Sequence, residues 1–460
     1  MPMPMIGRTN ELNALENEYM KVSSMVVIAG RRGMGKTRLV SEFASGKNTL
    51  YFLATPVNEH VLLSELNAAV NRFCGLNEPA SSWIGVLGRF ASHYDNKKIL
   101  IMDGFHNTAS FGTKFLEELR GIWDDILSQR NVTLILVGSV IPYMRSFTED
   151  GDSPLYGAVS TSITLGPLPF QDTVGDKDYQ DAVAMYSIHG GVPAIYDRLN
   201  GSSEKEAFSR MFDPGSGRFD YPVRTLEGEV KETPVYLSIL RAVAEGRNRI
   251  TQISEYVGIA PTTLNAYLRK LLDNGTLTRS VPSTEYIPER SKSGIYSLSD
   301  YNTLFWLRFV HPYMSSLSVG DTGTAVNALE QGFHAHAREA FAEICRGMVQ
   351  SLVGEIGFLP VLSGRYWNRD TDIDIVAINP AKRRALVAGC LFLKDRKVSR
   401  NDLNDLLRKA EKVPELRGYV VKLGLFSVTG FEDDLVAERN LLLVDSGKVI
   451  PWRISDPLRR

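Results

Sequence analysis

Glycines, a lysine and a threonine follow an apolar segment near the start of the chain at a spacing that suits phosphate chemistry. Residues 25–29 are apolar and lead into Gly30-Arg31-Arg32-Gly33-Met34-Gly35-Lys36-Thr37, which reads G-x-x-x-x-G-K-[ST]. Glycines at this spacing let backbone N–H groups surround phosphates, the lysine brings a charge to the β- and γ-phosphates, and the threonine can ligate Mg²⁺. The pattern predicts that ATP or ADP binds with Mg²⁺ to Gly30, Arg31, Arg32, Gly33, Met34, Gly35, Lys36, Thr37 and Arg38.

An acidic residue that suits the same metal ends a second apolar segment. Residues 98–102 lead into Asp103, which we expect to hold Mg²⁺ together with Thr37. The next residue is Gly104, where many such ATPases keep a glutamate that activates water. His106 is a candidate substitute, although a histidine in a loop is more often a surface or packing residue. Because loss of a water-positioning base costs about 10²–10⁴ in rate, we expect nucleotide binding with slow or absent hydrolysis.

The elements that must position these residues alternate in type up to about residue 170. Short apolar segments at 25–29, 49–54, 98–102, 133–137 and 162–165 are separated by helical patterns, which predicts a parallel sheet covered by helices. A helix over 37–44 would point its positive end at the phosphates. Three further residues fit the site: Arg8 before the first helix, Ser139 at the end of a buried strand as a γ-phosphate sensor, and Pro193 as a rigid edge against adenine.

The pattern changes after residue 234. Helices are predicted over 235–244, 252–257 and 261–272, and two alternating segments near 275–281 and 294–298 follow, which is the outline of a winged helix-turn-helix. The third helix carries polar residues that suit DNA contact, and cations follow on the wing. These residues are Thr262, Thr263, Asn265, Arg269 and Lys270, then Arg279, Arg290 and Lys292. Because acids lie nearby, DNA contact and a role as a protein–protein spacer both remain open.

The order of these motifs carries a family resemblance. Gly7-Arg8 with Glu11, the segment 30–37, Asp103, Gly138-Ser139 and Gly190-Gly191-Val192-Pro193 together resemble archaeal-type ATPases of the STAND branch of AAA-like P-loop NTPases. The resemblance covers essentially the whole chain. It implies a helical lid, a winged helix, a C-terminal nuclease-like domain and a role as a nucleotide-controlled switch. Two positions depart from the family: Gly104 replaces the glutamate, and Ala158 stands where an arginine that stabilises transition-state charge is common.

Carboxylates in the last part of the chain form a second candidate metal site. Glu343 lies on a predicted helix, and Asp372 and Asp374 share one face of a strand because side chains alternate along it. The arrangement resembles the PD-(D/E)XK nuclease fold, whose next strand usually reads Gly-Glu-Cys-Lys. Matched on Cys390, this chain has Gly389 for the glutamate and Leu391 for the lysine. We therefore interpret Glu343, Asp372 and Asp374 as a vestigial nuclease site and expect no nuclease activity.

Composition excludes several classes of protein. The chain has 460 residues with 43% hydrophobic and 23% charged residues, as in ordinary globular proteins, and its net charge of -1 does not suit a globally basic nucleic-acid binder. Cys74, Cys345 and Cys390 are too widely separated for a disulfide framework or zinc site. We see no leader and no run of about 18 apolar residues, so we expect a cytoplasmic protein without a membrane partner.

Together these features predict an α/β protein with four parts. They are a P-loop ATPase core over residues 1–170, a helical lid over 171–225, a winged helix over 226–318, and a restriction-endonuclease-like α/β domain over 319–460. The expected function is an ATP-binding switch, with weak ATPase activity at most, whose arm contacts DNA or a protein partner. Oligomerisation is left open. The alternative is an active ATP-hydrolysing effector that cleaves DNA with Mg²⁺.

Overall fold

The computed structural model describes residues 5–79, 82–93, 95–217 and 219–451. The chain divides into two compact units, and each is described by itself. The first unit holds the chain up to Pro169 together with Val192–Arg198 and Arg269–Thr276. The second unit holds Phe170–Gly191, Leu199–Leu268 and the chain from Leu277 onward.

A five-stranded parallel sheet forms the centre of the first unit. Its strand order is β2-β3-β4-β1-β5. Strands β1, β3 and β4 are buried along their whole length, which explains their continuous apolar sequences. Because the strands are parallel, the residues that follow their carboxyl ends meet at one edge of the sheet. The strands are β1 (Ser24–Gly30), β2 (Thr49–Leu53), β3 (Lys98–Asp103), β4 (Val132–Gly138) and β5 (Thr161–Leu165).

Helices cover this sheet as the alternating pattern predicts. They are α1 (Thr9–Tyr19), α2 (Lys36–Ala44), α3 (Glu59–Cys74), α4 (Trp83–Ser92), α5 (Thr113–Asp125) and α6 (Ile141–Glu149). Buried side chains of α3, α4 and α5 form a continuous apolar cluster with the sheet, in which Trp83, Phe90 and Phe115 are almost fully shielded from water. This packing fixes the strand ends that carry the polar residues.

Short helices and a winged helix begin the second unit. The helices are α7 (Phe170–Thr173), α8 (Tyr179–His189), α10 (Glu204–Phe212) and α11 (Tyr221–Glu227), whereas α9 (Pro193–Leu199) belongs to the first unit except for Leu199. The winged helix follows as α12 (Thr233–Ala244), α13 (Ile250–Val257), α14 (Pro261–Asp273, from Arg269 onward part of the first unit), and an antiparallel pair of β6 (Leu277–Ser280) and β7 (Ile295–Leu298). The predicted winged helix-turn-helix is confirmed.

A six-stranded mixed sheet ends the chain. Its order is β13-β12-β11-β10-β9-β8, with β10, β11 and β12 parallel to one another and the other pairs antiparallel. Long helix α17 contributes Phe341 and Cys345 to the core on one face, and α19 contributes Leu403 and Leu406 to the core on the other face. The elements are α15 (Tyr301–Phe305), α16 (Met314–Ser318), α17 (Gly323–Met348), α18 (Val353–Ile356), β8 (Leu362–Trp367), β9 (Asp372–Asn379), β10 (Arg384–Leu391), α19 (Arg400–Ala410), β11 (Val420–Ser427), α20 (Asp433–Val436), β12 (Leu441–Asp445) and β13 (Lys448–Val449).

The overall order of a parallel P-loop sheet, a winged helix and a C-terminal α/β sheet domain agrees with the sequence prediction. Edge strand β8 was not predicted, because a register shift between Gly364 and Tyr366 interrupts the alternation of apolar and polar residues. Within the described part of the chain, no helix is both long and apolar enough to cross a bilayer.

Two buried histidines make the second unit sensitive to acid. His336 Nε2 lies 2.7 Å from the Ser187 carbonyl oxygen, so this nitrogen carries the proton, and Nδ1 faces the Arg308 guanidinium at 3.3 Å. Burial first, and then the charge of Arg308, lower the pKa of His336 to about 3. Burial also lowers the pKa of His189 to about 3. Both side chains are therefore neutral in the folded protein at neutral and mildly acidic pH.

We expect the free energy of unfolding to fall as the pH drops from about 6.5 towards 3. In this window the unfolded chain binds protons that the folded chain excludes, at about 1.4 kcal/mol per pH unit for each histidine. His336→Gln keeps a polar side chain without titration, so urea unfolding between pH 6 and 4 should show a slope lower by that amount. Exposed His60→Gln is the control. An unchanged slope in His336→Gln would contradict the assignment.

Candidate nucleotide site

The loop between β1 and α2 has the backbone form that its glycines predict. Gly33 and Gly35 have φ angles of 85° and 83°, in the left-handed region that favours glycine. The Lys36 side chain is buried, and its Nζ donates to the carbonyl oxygens of Gly30 at 2.6 Å and Arg31 at 3.0 Å. The ammonium group is thereby held against the loop, where the phosphates of a nucleotide would exchange for these carbonyl contacts.

Asp103 and Thr37 meet at the mouth of this loop. The Thr37 hydroxyl donates to Asp103 Oδ2 at 2.7 Å, the Tyr51 hydroxyl donates to the same oxygen at 2.8 Å, and the Gly104 N–H donates to Oδ1 at 2.8 Å. Burial and the Asp103 carboxylate raise the pKa of Tyr51. Tyr51 was missed in the sequence because it lies on β2, far from either motif. The signal that could have found it is a tyrosine near the carboxyl end of a strand beside β3.

The donor set fits magnesium. A hydroxyl and a carboxylate oxygen 2.7 Å apart are the ligand types that Mg²⁺ takes alongside phosphates in P-loop proteins. Lys36 and Thr37 lie in the first turn of α2, whose N-terminus carries partial positive charge. The residues present therefore fit a nucleotide with Mg²⁺.

Gly104 is held by the backbone around it. Its φ of 78° is left-handed, and a Cβ built on it would lie 2.5 Å from the Ala54 carbonyl oxygen and 3.3 Å from the Asn107 side-chain nitrogen. Ala54 is itself fixed, because its N–H donates to the Asp103 carbonyl at 2.7 Å. The backbone conformation and the close approach of the Ala54 carbonyl therefore both favour glycine at position 104.

His106 lies beside the site with its ring orientation fixed. Its Nδ1 accepts the Ser139 N–H at 3.1 Å, so in the neutral ring the proton is on Nε2. Burial first, and then the charges of Lys36 and Arg32, lower the pKa of His106, although Asp103 opposes them. A neutral ring whose remaining nitrogen carries a proton can donate to a phosphate oxygen but cannot accept a proton from water. The structure therefore brings together Ser139, the candidate γ-phosphate sensor, and His106, the candidate substitute for the glutamate.

Because it offers a hydrogen-bond donor, we expect His106 to favour the triphosphate. Loss of a neutral donor to a charged phosphate oxygen costs about 1.5–3 kcal/mol, or roughly tenfold or more in affinity. His106→Ala should therefore weaken ATP binding by about tenfold while the Kd of ADP changes less than about twofold, measured by calorimetry. The control is Ser110→Ala, because Ser110 is exposed and lies with His106 in the short 3-10 helix Phe105–Phe111. Equal weakening of ATP and ADP would contradict the prediction.

The other predicted binding residues meet around the loop crest. Arg8 Nη2 donates to the Gly166 carbonyl and lies 3.4 Å from the Met34 carbonyl, while Nη1 pairs with Glu11 at 3.1 Å. A Cβ built on Gly35 would lie 3.6 Å from Pro193 Cγ. Pro193 is thus placed against the loop, as the adenine prediction requires.

The arginines near the loop differ in their surroundings. Arg31 is buried and Arg32 is exposed. Arg38 pairs with Asp197 at 2.9 Å, which ties α2 to α9 and gives Arg38 a structural contact besides any nucleotide contact. Near Ala158, Arg120 donates to the carbonyl oxygens of Pro154 and Tyr156 at 3.2 Å and 2.7 Å. This arginine holds the turn that contains Ala158.

The winged helix presents one polar helix face. Leu264, Leu268 and Leu271 are buried, whereas the polar residues of α14 that the sequence pointed to are all exposed. These exposed residues are Thr262, Thr263, Asn265, Arg269 and Lys270. Arg269 lies 3.9 Å from Asp273 and its side chain is 85% exposed, so its guanidinium is accessible.

Hydrogen bonds hold the wing, the segment between β6 and β7, in a fixed conformation. Arg279 donates to the carbonyl oxygens of Pro288 and Ser291 at 2.8 Å and 2.7 Å, so this cation holds the wing together. Ser283 N–H donates to the Arg365 carbonyl at 3.0 Å, and the Trp367 indole donates to the Ser293 carbonyl at 3.2 Å. The wing is therefore bonded to edge strand β8, within the same unit.

Each carboxylate of the suspected nuclease site has an arginine partner. Arg338 Nη2 lies 3.0 Å from both oxygens of Asp374, Arg346 Nη2 lies 2.7 Å from Glu343, and Arg365 Nε lies 2.8 Å from Asp372. Asp374 also accepts the Cys390 N–H at 3.0 Å. Among the described residues, no group of three or more His, Cys, Asp or Glu side chains could hold a metal ion. Gly389 and Leu391 lie beside Asp374 in one cavity wall.

Three protein families match separate parts of the chain. Residues 20–140 match the family described as "AAA domain". Residues 233–278 match "Bacterial regulatory protein, arsR family". Residues 306–405 match "Archaea bacterial proteins of unknown function". The first two matches lie on the nucleotide site and the winged helix.

Similar whole chains come from archaea. An uncharacterized protein of Methanocaldococcus jannaschii is 26% identical over 422 residues, covering 89% of this chain and 92% of the relative. A Walker-type ATPase of Pyrococcus abyssi has a TM-score of 0.52 at 19% identity, covering 66% of this chain and 96% of that one, and shows the fold. The Aeropyrum pernix ORC2 protein in ADPNP–ADP complexes has a TM-score of 0.46 at 15% identity, with coverages of 69% and 96%.

Proposed function

We propose that the chain is an ATP-controlled switch with slow hydrolysis. It combines an AAA-type P-loop domain, an ArsR-type winged helix and a domain of the family described as "Archaea bacterial proteins of unknown function". The predicted resemblance to archaeal AAA-like ATPases with a winged helix is confirmed by these matches. We propose further that nucleotide state governs a contact of the winged helix and C-terminal domain with DNA.

The observation that carries this proposal is the contrast between the two halves of the nucleotide site. The binding half is complete: Lys36 is buried against the loop, and Thr37 lies 2.7 Å from Asp103. The hydrolytic half lacks a base, because Gly104 has no side chain and His106 Nδ1 is taken by the Ser139 N–H. A site of this kind holds nucleotide well and turns it over slowly.

Each residue then has a role in binding. When bound, Mg²⁺ supplies charge neutralisation to the phosphates, and Thr37 and Asp103 are the residues that would hold it. Lys36 offers its ammonium to the phosphates, and the loop N–H groups of residues 31–37 surround them. Arg8 and Pro193 fix the loop crest on the adenine side, while Ser139 and His106 define the γ-phosphate side.

The proposed DNA contact is made by the exposed face of α14. The wing is bonded to β8 through Ser283 and Trp367, and Arg279 is occupied by wing carbonyls. The accessible cations are therefore those of α14 and the exposed wing residues Arg290 and Lys292. We propose the domain boundaries 1–170, 171–225, 226–318 and 319–460 for the core, lid, winged helix and C-terminal domain. We propose that the last is nuclease-like in fold and does not cleave, since Arg338, Arg346 and Arg365 neutralise its carboxylates.

One experiment separates this function from an active ATPase and nuclease. Purified protein is incubated with ATP and Mg²⁺, and bound nucleotide, phosphate release and plasmid cleavage are measured on the same sample. We expect retained nucleotide, phosphate release well below one per second, and no cleavage. Turnover of several per second, or Mg²⁺-dependent cleavage abolished by Asp374→Ala, would establish the alternative function instead.

We also expect DNA affinity to depend on Arg269. Its guanidinium is exposed on α14, and a phosphate contact releases about one counterion, so Arg269→Ala should weaken duplex binding severalfold and reduce the slope of log K against log salt by about 1. Fluorescence anisotropy measures the affinity and its salt dependence between about 50 and 200 mM salt, the range over which phosphate contacts lose much of their affinity. Exposed Lys205→Ala is the matched control. A slope that stays the same in Arg269→Ala would remove α14 from the interface.

A further inference from the structure

A cavity of about 630 Å³ opens in the C-terminal domain beside the arginine-paired carboxylates. Its wall is formed by α17, the end of β10 and the following residues, and α19. This volume is within the range of about 300–1,000 Å³ that is typical of small-molecule sites. The residues that line the cavity belong to the second unit of the chain, whereas the P-loop belongs to the first.

Three of the four carboxylates in this wall, those of Asp374, Asp402 and Asp405, have partners within the protein. Asp374 accepts from Arg338 and from the Cys390 N–H, and Asp405 pairs with Arg408. Asp402 accepts from Arg396 at 2.6 Å and 2.8 Å, and this contact lowers its pKa to about 2. These three acceptors therefore have little to offer a cationic ligand, and the fourth carboxylate, Glu411, is exposed to solvent.

Two cationic side chains in the same wall, Arg338 and Lys409, have donors that no described contact uses. Arg338 makes both contacts to Asp374 with one nitrogen, Nη2, and in the described part of the chain its Nε and Nη1 make no hydrogen bond. Its side chain is 45% exposed. Lys409 is exposed on α19 and its ammonium likewise has no partner among the described residues. The Asp374 carboxylate thus orients Arg338 while leaving two of its nitrogens free for an anion.

The remaining wall is apolar and contains two flat rings. Leu391, Phe392 and Leu425 line it, and the His334 ring lies 5.6 Å from the Phe392 ring. His334 Nε2 is buried and has no hydrogen-bond partner in the described structure. A polar ligand atom would supply this hydrogen bond after a small ring rotation. The absence of a side chain at Gly389 leaves room between Leu406 and Leu425.

We propose that this cavity binds a phosphomonoester with a planar apolar body, of mononucleotide size, through Arg338 and Lys409. Arg338 donates to the phosphate from a nitrogen that Asp374 does not occupy, and Lys409 adds a second charge. The apolar wall of β10 and α19 holds the planar body. Binding does not involve the P-loop, and the C-terminal domain is then the receptor for a second, small ligand.

The test uses the full chain carrying Lys36→Ala, so that the P-loop takes little of the probe, with AMP and adenosine as probes in calorimetry. We expect AMP to bind with one site per chain and adenosine to bind at least about tenfold more weakly, because a charge-assisted contact contributes that much. Lys409→Gln, which breaks no contact within the protein, should weaken AMP by about tenfold. Arg338→Gln should weaken it at least as much.

Controls separate a built site from general charge effects. Lys205→Gln removes an exposed cation elsewhere in the same unit and should leave AMP affinity unchanged. Circular dichroism and the unfolding midpoint will check that Lys409→Gln is folded. The test then does not depend on the Arg338 variant, in which the Asp374 carboxylate loses its partner. Failure of AMP to bind at millimolar concentration, equal affinity for adenosine, or unchanged affinity in Lys409→Gln would each overturn the proposal.

Discussion

Replacing Lys36 with alanine should lower ATP affinity by about 100-fold or more. The ammonium group is buried against the loop, where it donates to the carbonyl oxygens of Gly30 and Arg31. A charge-assisted hydrogen bond contributes about 1.5–3 kcal/mol, and two such contacts give roughly 3–6 kcal/mol, or about 10²–10⁴ in affinity. Isothermal calorimetry with ATP and Mg²⁺ measures the change directly.

Two further variants separate charge from packing. Lys36→Met keeps most of the buried stem without the charge, so it should lose ATP binding as fully as Lys36→Ala while unfolding nearer to the wild type. Exposed Lys114→Ala on α5 should behave as the wild type. At ATP concentrations about 100 times its Kd, the wild-type protein should gain about 2.7 kcal/mol of stability, a gain that both Lys36 variants should lose. ATP affinity within threefold of the wild type in Lys36→Met would show that binding rests on the loop backbone instead.

The sequence predicted those parts of the site that one short segment encodes. Gly33 and Gly35 dictate the left-handed backbone of the loop, and Lys36 and Thr37 follow them directly into a helix, so the geometry is local. Asp103 was also predictable, because an acid at the end of a buried parallel strand must reach the same sheet edge as the loop. The contacts of Tyr51 and of His106 with Ser139 depend on which strands are neighbours, and no local pattern encodes that order.

The C-terminal domain shows the same limit. Asp372 and Asp374 were recognisable as carboxylates at suitable spacing, but the arginines that pair with them come from elsewhere. Arg338 is 36 residues from Asp374, and Arg365 is 7 residues from Asp372 on a neighbouring strand that was not predicted. A pattern of acids therefore indicates a metal site or a set of ion pairs equally well until the partners are placed.

Gly104 and Gly389 lie where the two resemblances place glutamates, and an added side chain would meet different surroundings at each position. A Cβ on Gly389 would meet Leu425 and Leu406 at 3.7 Å and 3.8 Å, which are ordinary contact distances. A Cβ on Gly104 would meet the Ala54 carbonyl at 2.5 Å with the backbone at a φ of 78°. A Cβ at position 389 would therefore be accommodated, whereas at position 104 the backbone of the nucleotide site opposes it.

We therefore expect Gly104→Glu to destabilise the protein without restoring hydrolysis. A left-handed conformation costs a non-glycine residue about 1–2 kcal/mol, and overpacking against the Ala54 carbonyl adds about 1–3 kcal/mol. The free energy of unfolding should fall by roughly 2–5 kcal/mol, seen as a lower urea midpoint. Relief of the clash would displace the Asp103–Ala54 hydrogen bond, and with it the carboxylate that Thr37 contacts, so phosphate release should stay at or below the wild-type rate.

Gly75 offers a matched comparison for the two contributions. It ends α3 with a φ of 67°, and a Cβ built there would meet nothing within 4 Å. Gly75→Ala should cost only the backbone part, about 1–2 kcal/mol, whereas Gly104→Ala should cost that amount and the clash together. If the two alanine variants unfold at the same midpoint, the Ala54 contact yields freely and a glutamate at position 104 could be accommodated. Phosphate release from Gly104→Glu that exceeds the wild-type rate tenfold would show that the missing carboxylate alone limits hydrolysis.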